Sequence, residues 1–130
     1  MIQNQWYVVL SSKQVKDRPI GVTRLGEKLV FWRDSAGKVA CLRDGCPHRG
    51  VQLSKGQVVD GHVQCPFHGF EFDANGQAVT IPAIGRSAEP PKAFKTLAYP
   101  THEAHGLIWM WWGQQPPASL QPPQFFPDID

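Results

Sequence analysis

Cysteine is scarce in this chain of 130 residues, with only three present. An odd number cannot all pair within the chain, which excludes a disulfide framework as the source of stability. In a reducing compartment such thiols point to metal binding before cross-linking. Long hydrophobic runs are also lacking. The longest, Leu107 to Trp112, is six residues, against the roughly 20 that a bilayer-spanning helix needs. The opening stretch, MIQNQWYVVL, has neither the basic cluster nor the apolar core of a secretory signal. Together these features predict a cytoplasmic protein that does not enter a membrane. An excess of either charge is missing too. Charged residues make up 18%, the net charge is +2, and the thirteen basic residues are scattered. No basic stripe exists to bind nucleic acid. Finally, no segment shows a sustained helical period. The best helical signal is a turn near Ser11 to Asp17.

Turn formers and strand formers are what the chain has in abundance. Twelve glycines and twelve prolines break it into short pieces. Between them lie runs rich in aromatic and β-branched residues. Trp6 to Leu10 reads as a first strand. Gly21 to Leu25 and Leu29 to Arg33 read as a pair around a turn at Gly26-Glu27. Val39 to Leu42 follows the turn Asp34-Ser35-Ala36-Gly37. Gln57 to Val59 and His62 to Gln64 flank Asp60-Gly61, a strong hairpin signal. Phe70 to Asp73 and Gln77 to Thr80 flank Ala74-Asn75-Gly76. Lys95 to Tyr99 and Leu107 to Trp112 close the series. Many short strands with regular turns predict an all-β sandwich or barrel. After Gly113 the pattern ends. Residues 114–130 hold five of the twelve prolines and read as a linker or extended tail, leaving 1–113 as one domain.

Two short loops carry the chemistry. The first is Cys46-Pro47-His48-Arg49-Gly50, and the second is Cys65-Pro66-Phe67-His68-Gly69. Sixteen residues separate His48 from Cys65, and the Asp60-Gly61 hairpin lies among them. The chain therefore leaves one loop, turns, and comes back beside it. Two thiolates and two neutral imidazoles are the donor set of a Rieske 2Fe–2S centre, where cysteines hold one iron and histidines the other. On this reading Cys46 and Cys65 bind the inner iron and His48 and His68 the outer one. Pro47 and Pro66 stiffen the loops, while Gly50 and Gly69 let the backbone turn. The same donors could hold zinc. Zinc fingers, however, favour two cysteines in one knuckle and two histidines in the other, whereas each loop here is mixed. Cys41, in Val39-Ala40-Cys41-Leu42, reads as a small core residue on a strand. Trp109, Trp111 and Trp112 read as sheet packing.

At these residues the chain resembles the Rieske family, and within it the N-terminal domain of Rieske non-haem iron oxygenases. The resemblance runs from about Trp6 to Gly113. It is sharpest in the two loops, which span residues 43–73 with their flanks. It is softer at Trp6-Tyr7 and at Gly106-Leu107-Ile108-Trp109-Met110-Trp111-Trp112-Gly113. It implies three antiparallel sheets with a small cluster-binding tip made of the two loops. It also implies one-electron transfer from a reductase or ferredoxin to a mononuclear iron held by two histidines and a carboxylate, in a ring-shaped homotrimer. That iron site is not expected in this chain. The remaining histidines are His62, His102 and His105. His62 reads as an exposed strand residue, and His102-Glu103-Ala104-His105 as a solvated loop. The chain is then either the electron-transfer part of an oxygenase, not catalytic alone, or a stand-alone Rieske ferredoxin. Respiratory-chain Rieske proteins add two loop cysteines and a serine and tyrosine that donate to the cluster. Val51, Phe67, Phe70 and Phe72 stand at those positions here. With those donors absent, the potential is expected near the low end of the Rieske range, about −150 mV.

Overall fold

The computed structural model describes residues 5–46, 51–66, 69–80 and 95–113. Eleven strands are present among them. In chain order they are β1 (Gln5–Ser11), β2 (Ile20–Arg24), β3 (Glu27–Arg33), β4 (Val39–Arg43), β5 (Gln57–Val59), β6 (His62–Gln64), β7 (Glu71–Phe72), β8 (Ala78–Thr80), β9 (Ala98–Tyr99), β10 (Thr101–Ala104) and β11 (Leu107–Trp112). Two single-turn 3-10 segments, Ser12–Gln14 and Leu53–Lys55, interrupt them. Every pairing is antiparallel, and the strands form three sheets ordered β1-β11-β10, β2-β3-β4-β9 and β5-β6-β7-β8. The expected all-β class with three antiparallel sheets is what the molecule has.

The middle strands explain the architecture. A strand with one wet face alternates apolar and polar residues, whereas one buried on both faces is apolar throughout. Leu29-Val30-Phe31-Trp32 and Val39-Ala40-Cys41-Leu42 are both of the second kind, and all eight are buried. Their side chains divide by period two. Val30, Trp32, Ala40 and Leu42 pack with Leu53, Val63, Phe70 and Phe72 in one core. Leu29, Phe31, Val39 and Cys41 pack with Val9, Leu10, Ile108 and Met110 in another. The β2-β3-β4-β9 sheet is thus the filling between the two others. Each large side chain so buried contributes roughly 1.5–3 kcal/mol. Trp32 also reaches across, its indole Nε1 donating to the Gly61 carbonyl at 2.9 Å.

The turns follow local chemistry, with two departures from expectation. Asp60-Gly61 has φ of 51° and 80°, a type I′ turn that matches the strand twist. The β2–β3 turn falls at Leu25-Gly26, with φ of 54° and 78°, one residue before the expected Gly26-Glu27. Glycine takes the second left-handed position and leucine the first, so Glu27 is free to pair with Arg24. The second departure is β10. Thr101 to Ala104 is a strand paired with β11 through a turn at His105-Gly106, with φ of 58° and 74°. The solvated loop expected at His102-Glu103-Ala104-His105 is therefore corrected to the end of a hairpin. Two further turns share a device. The Asp34 carboxylate accepts from the Ala36 and Lys38 amides, and the Asp73 carboxylate from the Asn75 and Gln77 amides. This is the side-chain-to-backbone closure that favours aspartate in turns. The tail 114–130 lies outside the described residues.

Candidate metal centre

Both expected ligand cysteines leave the ends of sheet strands. Cys46 follows β4 by three residues, and Cys65 follows β6 directly. Each begins a loop closed at its neck by a backbone hydrogen bond. The Cys46 amide donates to the Val51 carbonyl at 2.8 Å, and the Cys65 amide to the Phe70 carbonyl at 2.6 Å. Gly69 has φ of 71°, a conformation that costs glycine nothing and lets the second loop return. His48 and His68, with Pro47, Arg49, Gly50 and Phe67, lie outside the described residues.

Cys46 and Cys65 are 3% and 1% exposed and share one core with Leu53, Val63, Phe70 and Phe72. Neither is in a disulfide. Two buried thiols brought by separate loops into one apolar core fit the sulfur half of a Rieske donor set, in which the protein shields the inner iron. Cys41 lies elsewhere. It sits on β4 in the opposite core, its Sγ 3.9 Å from the Met110 Sδ. Burial pushes its thiol well above the usual range, so it stays protonated and is a poor ligand. Phe70 and Phe72 are 4% and 0% exposed and line the same core as the two cysteines. Their rings offer no side-chain hydrogen bond there.

The leftover histidines go to different places. His62, on β6, is half-buried rather than exposed. Its Nδ1 lies 3.6 Å from Oε1 of Glu71, a buried carboxylate on β7. His102, on β10, meets Trp6 edge-on with ring centroids 6.2 Å apart. Trp6 in turn meets Trp111 at 5.5 Å. Trp112 stacks on Tyr99 at 6.2 Å. His105 occupies the β10–β11 turn.

One ion pair was missed from sequence. Arg33, at the end of β3, and Glu103, on β10, bind face to face through two 2.9 Å contacts, Nη1 to Oε1 and Nη2 to Oε2. Arg33 also donates to the Val15, Ser12 and Gly37 carbonyls. The Arg33 hydrogen bonds hold the Glu103 carboxyl down at about 2, and Glu103 raises Arg33 in return. The two residues are 70 apart in sequence, so no local pattern announces them. The only signal was an acidic residue in a short polar stretch between strand-like runs.

A model of the Rieske [2Fe-2S] domain matches residues 5–99. The chain belongs to the Rieske [2Fe-2S] domain family. Its cofactor is therefore a Rieske-type 2Fe–2S cluster rather than zinc. The Rieske domain is 42% identical to the dicamba O-demethylase oxygenase component of Stenotrophomonas maltophilia, covering 98% of this chain and 36% of that protein. It is 37% identical to the vanillate O-demethylase oxygenase subunit of a Pseudomonas species, over 87% of this chain and 31% of that one. It is 36% identical to protein TIC 55, chloroplastic, of Arabidopsis thaliana, over 87% of this chain and 21% of that protein. Among solved structures, dicamba monooxygenase with non-heme iron and dicamba superposes with a TM-score of 0.85 at 40% identity. That match covers all of this chain and 39% of the other. The chain thus spans about a fifth to two fifths of the length of these relatives. Among its described residues no helix is long and apolar enough to cross a membrane.

Proposed function

We propose that the chain passes single electrons through a Rieske 2Fe–2S cluster held by Cys46 and Cys65 on one iron and His48 and His68 on the other. The observation that carries this reading is the pair of buried thiols at the necks of two closed loops in one core. Loop spacing supports the histidines, since His48 stands two residues beyond Cys46 and His68 three beyond Cys65, each with a glycine within two residues after it. When bound, the cluster supplies the site that takes up and gives back one electron. The residues of this chain do the rest. The cores on either side of β3 and β4 keep the loop necks rigid. Phe70 and Phe72 line the cysteine side without donors.

The electron-transfer domain of a longer Rieske oxygenase is the context we favour. Residues 1–113 form that domain, and 114–130 the linker to a catalytic part. The names of the relatives, oxygenase components and subunits, support this, as does the share of their length the chain covers. A reductase or ferredoxin would then supply the electron, and a mononuclear iron outside this chain, in a homotrimeric assembly, would accept it. A reducing compartment such as the cytoplasm suits a chain that uses Cys46 and Cys65 as ligands and keeps Cys41 as a buried thiol. The chain alone carries an electron and oxygenates nothing. Anaerobic coulometric titration tests this. One electron per chain, with no product formed from an aromatic substrate in air, is expected. Uptake of two electrons or none would refute it.

A further inference from the structure

The first ligand loop is closed by more than its neck. Asp44, between β4 and Cys46, is 7% exposed, an unusual state for a carboxylate. Ser54, in the 3-10 turn after the loop, satisfies it twice. The Ser54 amide donates to Oδ1 at 2.8 Å and the Ser54 hydroxyl to Oδ2 at 2.6 Å. Asp44 is anchored on the other side, its amide donating to the Lys28 carbonyl at 2.9 Å. Leu53, next to Ser54, is fully buried in the core that holds Cys46 and Cys65. Gly21 on β2 makes the room. A Cβ there would lie 2.5 Å from the Ser54 Oγ and 2.9 Å from the Asp44 Oδ2. Any side chain at Gly21 would push the clasp apart.

We propose that Asp44 and Ser54 are positioning residues, a non-covalent clasp that fixes both ends of the loop carrying Cys46 and His48 and so sets their geometry on the cluster. The inference rests on the ligand assignment above. Val51 stands at the returning end of this loop, so no disulfide can do the fastening. Hydrogen bonds to a carboxylate shielded from water are the strong kind. They hold the two ends together while the loop between them stays short. With the clasp open, Cys46 keeps its core contacts but the loop beyond it gains freedom, and the outer iron is the first to feel this.

The test uses the cluster-loaded protein. Asp44→Ala, Asp44→Asn and Ser54→Ala are compared with Glu103→Gln, which loosens β10 at a distance from the loop. Each is scored by thermal midpoint, by iron release to a ferrous chelator without oxygen, and by the reduced-state spin-resonance g-values. Asp44→Ala and Ser54→Ala are expected to release iron about tenfold faster and to shift the g-values. Asp44→Asn keeps an acceptor for the Ser54 amide and should fall between them and the parent. Glu103→Gln should lower the thermal midpoint with parental release and g-values. The proposal is overturned if the g-values of Ser54→Ala match the parent and its release only follows the thermal midpoint. If Asp44→Ala does not fold, Ser54→Ala decides alone. A parent protein that takes up no iron would refute the ligand assignment, whereas a loaded parent with an unaltered Ser54→Ala refutes only the clasp.

Discussion

Glu103→Gln should cost stability at neutral pH and nothing in strong acid. The Glu103 carboxyl is held at about 2, down from 4.5, chiefly by the Arg33 hydrogen bonds. Without screening, a carboxyl lowered from 4.5 to about 2 would contribute ~3.4 kcal/mol. The two side chains remain 25% and 33% exposed, however, so solvent and salt screen much of this. A contribution of ~1–2 kcal/mol is the sound expectation, above the norm for surface pairs because the geometry is bidentate. A carboxyl whose folded pKa is depressed stabilises the fold fully above its unfolded pKa. The contribution is lost as pH falls from about 4.5 to about 2. Urea unfolding of the parent and of Glu103→Gln at pH 7, 4 and 2 measures it, with urea chosen because it adds no ions. Acid loss of the cluster is common to both proteins, so the difference isolates Glu103. The gap should be ~1–2 kcal/mol at pH 7, narrower at pH 4 and close to zero at pH 2. A gap that is absent at pH 7, or undiminished at pH 2, would refute the reasoning.

Other consequences can be measured directly. Cys41→Ala should keep the full cluster spectrum and lose only roughly 1 kcal/mol, since this thiol packs against Met110 in the core away from the ligands. Loss of iron in that variant would overturn the exclusion of Cys41. Phe72→Ala should cost roughly 3–5 kcal/mol, because the ring is fully buried in the core that also holds Cys46 and Cys65. Urea unfolding reporting less than 1 kcal/mol would contradict that packing. A redox titration should give a potential near −150 mV, as Phe70 and Phe72 provide no side-chain donors. A clearly positive value would show that other donors compensate.

Much of this molecule was legible in its residues, for identifiable reasons. Asp60-Gly61 announced its hairpin because both positions need a left-handed backbone that aspartate and glycine tolerate. Leu107 to Trp112 announced a strand by composition alone. Leu25-Gly26 was misplaced by one residue because leucine seldom adopts positive φ. β10 was invisible because Thr-His-Glu-Ala has no apolar alternation, and its place comes from β11 and from Arg33, a contact far along the chain. The two loops stood out because mixed Cys and His pairs at this spacing have few other uses, and the burial of Cys46 and Cys65 in one core is consistent with that reading. The Asp44–Ser54 clasp was not, because two ordinary polar residues become informative only once their burial is known.

The most direct test of the cluster assignment is on the purified protein, prepared without oxygen. Iron and acid-labile sulfide are assayed, and spin-resonance spectra are recorded before and after dithionite. Two irons and two sulfides per chain, silent when oxidised and giving a Rieske-type signal when reduced, are predicted, with the signal lost in Cys65→Ala. A colourless protein holding a single zinc, or a cluster that survives Cys65→Ala, would contradict the account.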